Sequence, residues 1–338
     1  MRAAVLHGAG TPDMFRIEDV PVPEIGPDDV LVRVRACGVS YRDVVERNGT
    51  YKRDVSYPLI IGLEIAGTIE RMGAMVQDLA IDDRVCTKAF SSCGHCRLCR
   101  NGRETTCAKR QPVRGGYAEF VALPQDAVVR TPTDMPFEVS CGLGPGAGVA
   151  INAVRDTAKV QIGETVLVTG ATGGVGVPSV QVARAAGARV IAVTRTEAKR
   201  ALLERIGVSD VIVADGENFA PQVRALTGGA GVDVVIDTVG SRVFDASFDS
   251  LAVHGRYAMV GQLFGEKIAI NPARIFFKRA AILGVGSVSR SQLEDAIALT
   301  ARGVIRPQIT RLLPLEAVSE AHQLVEGGAV AGRVVLQP

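Results

Sequence analysis

The chain has 338 residues, 47% of them hydrophobic and 22% charged, which is a globular composition long enough for two domains. A formal net charge of only +2 leaves neither the basic footprint of a nucleic-acid binder nor a polybasic membrane surface. The segment Met1–Gly10 holds no apolar stretch of signal-peptide length, and no apolar run reaches membrane-spanning length, so the expected location is the cytoplasm. Cysteines in that compartment are more often metal ligands or reactive thiols than disulfides, and four of the seven here fall within fifteen residues.

The first 125 residues read as short strands broken by turns. Val30–Arg35 alternates apolar and polar residues as a half-buried strand does. Leu59–Gly62 and Ile65–Glu70 read alike, and Gly115–Val121 as a further turn and strand. Irregular β structure of this kind predicts a partly closed barrel. From about residue 150 the texture changes. The apolar strand Thr165–Thr169 leads into a helix over 177–186 and then a strand at Arg189–Val193. A helix over 198–205 follows, with strands at Val211–Val213, Val232–Ile236, Tyr257–Val260 and Ala281–Val285. Strands buried on both faces and joined by helices predict a doubly wound parallel sheet in an α/β fold. Beyond residue 288 come a helix over 292–302 and a closing β/α/β segment that returns to the first domain. The expected division is 1–149 with 289–338, interrupted by 150–288.

The first strand of the sheet runs into Gly170-Ala171-Thr172-Gly173-Gly174-Val175-Gly176. Ala171-x-Gly173-x-x-Gly176 is a variant of the dinucleotide fingerprint, in which glycines permit a tight turn and let backbone N–H groups approach a pyrophosphate. A plain strand–helix turn would also use such glycines; the following strand at the right distance favours the cofactor. An acid at the end of that second strand would accept the ribose hydroxyls of NAD. Thr194 stands there instead, followed by Arg195, with Lys199 or Arg200 a turn later. A guanidinium suits a 2′-phosphate and a carboxylate repels it, so NADPH is the expected cofactor, although Glu197 softens the signal. Asp237 ends another strand at the same sheet edge, beside the cofactor or as a helix cap. Gly261 and Gly286 are placed to offer backbone groups to the nicotinamide.

Cys93, Cys96, Cys99 and Cys107 give C-x2-C-x2-C-x7-C in a lobe over about 91–110. Such spacing lets four thiolates converge on one tetrahedral Zn2+ with no position open for substrate, so the site is structural. Iron–sulfur ligation is the competing reading, and a redox pair a weaker one. His95, between the ligands, reads as a solvent-facing loop residue.

Together these features resemble the medium-chain dehydrogenase/reductase superfamily over nearly the whole chain. The matching stretches are Cys37–Asp43, Gly62–Gly67, the cysteine lobe, Gly115–Glu119 and Ala171–Gly176. The resemblance implies a GroES-like catalytic domain interrupted by a Rossmann domain, substrate in the cleft between them, and a homodimer or homotetramer. Zinc alcohol dehydrogenases of that family carry a cysteine where Ser40 stands and a histidine where Leu63 stands, and a third ligand near Pro145–Gly148. None of these is a ligand here, Cys141 is unaccompanied, and the zinc-free branch of quinone and enoyl reductases is implied instead. The stretch from Tyr41 to Pro58 and that from Val166 to Thr194 resemble the archaeal acryloyl-CoA reductase type. By that resemblance Tyr51 donates or orients a proton and Ser40 binds the carbonyl or the ribose, the alternatives being a packed loop aromatic and a turn hydroxyl, while Asp43 and Glu64 orient backbone and nearby cations. Lys52 and Arg53 read first as solvated loop charges, with coenzyme A phosphates as the alternative role. The expected reaction is NADPH-dependent reduction of an activated C=C bond, in a small-molecule substrate such as a CoA thioester. Quinone or aldehyde/ketone reduction, and a non-catalytic NADPH-binding role, are the alternatives.

Overall fold

Six apolar runs between residues 165 and 284 pair into one all-parallel sheet in the computed structural model, which describes every residue except 51–54 and 216–217. Their spatial order is Asp210–Val213, Arg189–Thr194, Thr165–Thr169, Val232–Asp237, Leu251–Met259 and Ala281–Gly284. The order reverses between Thr165–Thr169 and Val232–Asp237, the two central strands, so the loops leaving their carboxyl ends diverge there, as in a Rossmann sheet. Both central strands are buried along almost their whole length, which explains the unbroken apolar character of their sequences. Leu167, Ile191, Val235, Phe248 and Tyr257 belong to the apolar core on this sheet.

A second, mostly antiparallel assembly is built from the start and the end of the chain. Its path is Ile309–Pro314, Arg333–Gln337, Asp29–Val39, Glu64–Met72, Arg84–Thr87 and Val128–Arg130, and Phe120–Pro124 also pairs with Asp29–Val39. Asp29–Val39 therefore carries three partners and holds the barrel together. Leu59–Gly62, expected as a strand, makes only an isolated bridge from Leu59 to Leu6, just after a cis Tyr57–Pro58 bond. The turn and strand expected over Gly115–Val121 are present, with the strand starting at Phe120. Gly115 has φ +94°, and a Cβ at Gly116 would fall 2.6 Å from Cys37 Sγ, so the preceding residues form a close-packed turn.

By contact density the chain divides into two compact units. One comprises Met1–Gly148, Ser287–Arg302 and Pro307–Pro338; the other comprises Val149–Gly286 and Gly303–Arg306. Among the described residues no helix is long and apolar enough to cross a membrane.

Candidate functional site

In the parallel-sheet unit, the glycine-rich turn is tight for a steric reason. Gly170 has φ +56°, and a Cβ on Gly176 would fall 2.1 Å from the Gly170 carbonyl oxygen. Only glycine at 176 lets the helix Gly176–Ala185 start directly beneath the strand end, with Thr172, Gly173, Gly174 and Val175 forming the turn between them. Ala171 is buried, and its N–H reaches the Val193 carbonyl at 3.3 Å, so it locks this turn to the next strand. That next strand ends at Thr194, whose buried hydroxyl has no hydrogen-bond partner among the described contacts. Arg195 is exposed just beyond it. Lys199 is largely buried, and that burial together with the nearby Arg195 guanidinium pulls its ammonium pKa down. Arg200, the alternative to Lys199, is occupied by Glu197 and the Val211 carbonyl.

Gly261 and Gly286 lie just past the ends of Leu251–Met259 and Ala281–Gly284, at the same edge of the sheet as Thr194. A Cβ on Gly261 would fall 2.4 Å from the Thr238 carbonyl. Asp237 is different. Oδ1 accepts from Thr169 Oγ1 at 2.6 Å, Val239 N at 2.9 Å and Gly240 N at 3.1 Å, and Oδ2 accepts from Tyr257 Oη at 2.7 Å. The carboxyl has no exposed surface, and burial drives its pKa up against these bonds. Its carboxyl is thus held within the edge by these neighbours, with Val239 and Gly240 N–H groups bonded as a cap would bond them.

In the other unit, Ser40 begins the helix Tyr41–Asn48 with a capping box. Ser40 Oγ donates to Asp43 Oδ2 at 2.6 Å and Ser40 N donates to the same oxygen at 2.8 Å. Asp43 is fully buried, its Oδ1 has no hydrogen-bond partner among the described residues, and burial raises its pKa to about 6 against the Ser40 bonds. Leu63 is buried in the apolar core. Its neighbour Glu64 is also fully buried and forms an ion pair with Arg333 at 2.8 Å, out of hydrogen-bond alignment. Burial outweighs that guanidinium and lifts Glu64 to about 7. Two acids whose neutral forms are favoured by burial thus lie in the unit that holds Ser40, and both are residues expected to orient the site. Glu64 is legible as a charge at the start of a largely apolar strand. Its partner, 269 positions later, is not. Tyr51 lies outside the described residues, as do Lys52 and Arg53.

The four lobe cysteines converge. Their sulfurs all lie within 4.8 Å of one another, with Cys96–Cys99 at 3.5 Å, Cys93–Cys107 at 3.6 Å, Cys96–Cys107 at 3.9 Å and Cys93–Cys99 at 4.0 Å. Four sulfurs each about 2.3 Å from one tetrahedral ion would be about 3.8 Å apart, so the set fits a single metal. A cluster of several irons would hold its cysteines further apart. Backbone N–H groups of His95 and Cys96 bring the Cys93 thiol down to about 6, while burial and the neighbouring thiols hold Cys99 up at about 12. Among the described residues this is the one cluster of three or more His, Cys, Asp or Glu side chains suited to a metal. Lys88, fully buried, anchors the lobe: it bonds Glu104 at 3.1 Å and Asp126 at 3.0 Å, and Asp126 accepts from Ser92 N and Oγ.

Comparison with known proteins adds three findings. Residues 26–133 match the family model described as an alcohol dehydrogenase GroES-like domain, and residues 174–302 match that of a zinc-binding dehydrogenase. The chain is 32% identical to an acryloyl-coenzyme A reductase of Sulfurisphaera tokodaii, over 100% of both chains, and 32% identical to an alcohol dehydrogenase of Geobacillus stearothermophilus, over 100% of this chain and 99% of that one. A solved structure titled AibC superposes with a TM-score of 0.93 at 41% identity, covering 100% of this chain and 96% of that chain.

Proposed function

The chain belongs to the medium-chain dehydrogenase/reductase superfamily, and on that premise we propose that it is an NADPH-dependent reductase of activated C=C bonds, 2-enoyl-CoA thioesters first. The observation that carries this reading is the Ser40–Asp43 couple with Leu63 beside Glu64. Where a zinc alcohol dehydrogenase would offer a thiolate and an imidazole, this chain offers a hydroxyl bonded to a buried acid and an aliphatic side chain. A hydroxyl and an isobutyl group cannot hold a Lewis acid, but the first can pass a proton. The likeness to an acryloyl-coenzyme A reductase along the full chain supports the same substrate class.

The glycine turn, Thr194, Arg195 and Lys199 are the residues that would hold the dinucleotide, with the two cations at its 2′-phosphate. When bound, the nicotinamide supplies hydride to Cβ of the substrate. The chain's own work is then to supply a proton to Cα. Ser40 donates it from its hydroxyl; Asp43, neutral below about pH 6, replaces it by donating in turn to Ser40 Oγ, the reverse of the bond seen here, and then takes up a proton from solvent. Turnover should therefore fall as pH rises through about 6. The lobe would hold one Zn2+ that shapes the loop and takes no part in the chemistry.

The test is oxidation of NADPH with a panel of crotonyl-CoA, acryloyl-CoA, a naphthoquinone and simple aldehydes, read with product analysis. Saturated acyl-CoA from the thioesters is the expected result. Reduction of aldehydes alone, or no oxidation with any acceptor, would overturn the reading.

A further inference from the structure

The cysteine lobe carries more positive charge than its one acid and the double negative charge of four thiolates around one Zn2+ would balance. Between Cys93 and Arg114 there are six cationic residues against a single acid, in a chain whose net charge is only +2. That acid, Glu104, is turned inward, accepting from Lys88 Nζ at 3.1 Å and from Arg290 N at 2.6 Å. Arg114 is taken up by Glu46. The remaining cations include Arg97, Arg100, Arg103 and Lys109, all exposed, and none of the four has an ionic partner among the described residues. Arg97, Arg100 and Arg103 recur at three-residue spacing along the short helix Arg97–Arg100 and the turn after it.

These cations stand on a held platform. Lys88 ties the lobe to Asp126, and Arg290 fixes Glu104 while its guanidinium bonds the carbonyls of Asp126 and Val128, each at 3.1 Å. The platform also reaches the catalytic helix. The guanidinium carbons of Arg110, from the lobe, and of Arg42, two residues after Ser40, each lie 4.8 Å from the centroid of the Phe90 ring. The cationic surface therefore begins one aromatic ring away from the helix that Ser40 caps.

We propose that the exposed arginines of the cysteine lobe are the docking surface for the phosphates of the CoA thioester, with the acyl end directed toward Ser40. This rests on the enoyl-CoA reading above. The chemistry matches on three counts. Guanidinium forks bind phosphate oxygens in pairs, and CoA carries a pyrophosphate and a 3′-phosphate on one nucleotide. Arginine planes also stack on adenine. A surface fixed by buried ion pairs loses little freedom when it binds.

The test compares the enzyme with an Arg97→Ala/Arg100→Ala/Arg103→Ala variant, after zinc content and thermal midpoint have shown that the lobe is intact in both. With crotonyl-CoA the variant's KM should rise roughly tenfold or more, the loss expected of charge-assisted hydrogen bonds. With the crotonyl thioester of N-acetylcysteamine, which has no phosphate, KM should not move, nor should that for NADPH. An equal change for both thioesters, or none for either, overturns the proposal. Calorimetric binding of free CoA separates this claim from the catalytic one. CoA binding that the variant loses upholds the docking surface even if no thioester is reduced. CoA binding that the variant keeps, or its absence from the parent enzyme, removes the docking surface.

Discussion

Arg195 and His322 show how differently single residues yield to sequence reasoning. Arg195 was legible because the apolar run Arg189–Val193 fixes where its strand must end, and the structure places Arg195 exposed one residue past Thr194, close enough to Lys199 to lower its pKa. Replacing Arg195 by alanine should weaken NADPH roughly tenfold while leaving NADH nearly unchanged, as measured by the KM for each; equal losses would contradict the phosphate assignment. His322 was not legible as a core residue. It is fully buried, with Nε2 3.1 Å from Tyr117 Oη and its ring 4.8 Å from that of Phe15, contacts that only long-range packing creates. Burial first, and then the nearby Arg47 charge, lower its pKa from 6.5 to about 3. The folded ring therefore stays neutral where the unfolded one binds a proton. The stability this contributes is complete above about pH 6.5 and is lost as pH falls toward 3, by at most about 1.4 kcal/mol per pH unit. Urea midpoints between pH 7 and pH 4.5 should fall more steeply for the parent protein than for His322→Asn, and parallel slopes would refute this. Asp43 and Glu64 act in the opposite direction, because their folded pKa values are raised and their neutral forms are favoured as pH falls. The comparison with a variant is what isolates the histidine.

At the scale of elements, what was read correctly was what local burial dictates. The parallel strands announced themselves because water reaches neither face, and the glycine turn because its spacing has a steric cause at Gly176. The barrel strands Arg84–Thr87 and Val128–Arg130 were missed: four and three residues carry no period, and they exist as strands only through pairing with distant segments. The run Leu59–Gly62 has strand-like residues, but its backbone bonds go to Leu6 and to the turn residues Gly116 and Tyr117 and build no regular ladder among the described residues. Gly176 offers the sharpest test at this scale. A Cβ there meets the Gly170 carbonyl oxygen at 2.1 Å, so Gly176→Ala must push the helix away from the strand end. The variant should fold with a loss of about 1–3 kcal/mol and lose most of its NADPH affinity, read from the fluorescence of the bound dinucleotide. Affinity equal to that of the parent would mean that the turn does not hold the cofactor.

For the whole molecule, the central claim is a division of labour. On the proposed reading one metal site would hold a loop, and the chemistry would fall to a dinucleotide and to side chains that handle protons. The cysteine spacing alone would have suggested a zinc alcohol dehydrogenase, and the chain is similar over its full length to a protein named alcohol dehydrogenase. Ser40 and Leu63 separate the two, since a capping hydroxyl bonded to Asp43 and a buried aliphatic chain stand where metal ligands would be needed. The lobe is correspondingly complete in itself, its four sulfurs at the spacing of one tetrahedral ion and its base tied down by Lys88. The measurement that bears on this most directly is the metal content of enzyme that is turning over crotonyl-CoA with NADPH. One zinc per chain is the predicted result, and two per chain would contradict the account.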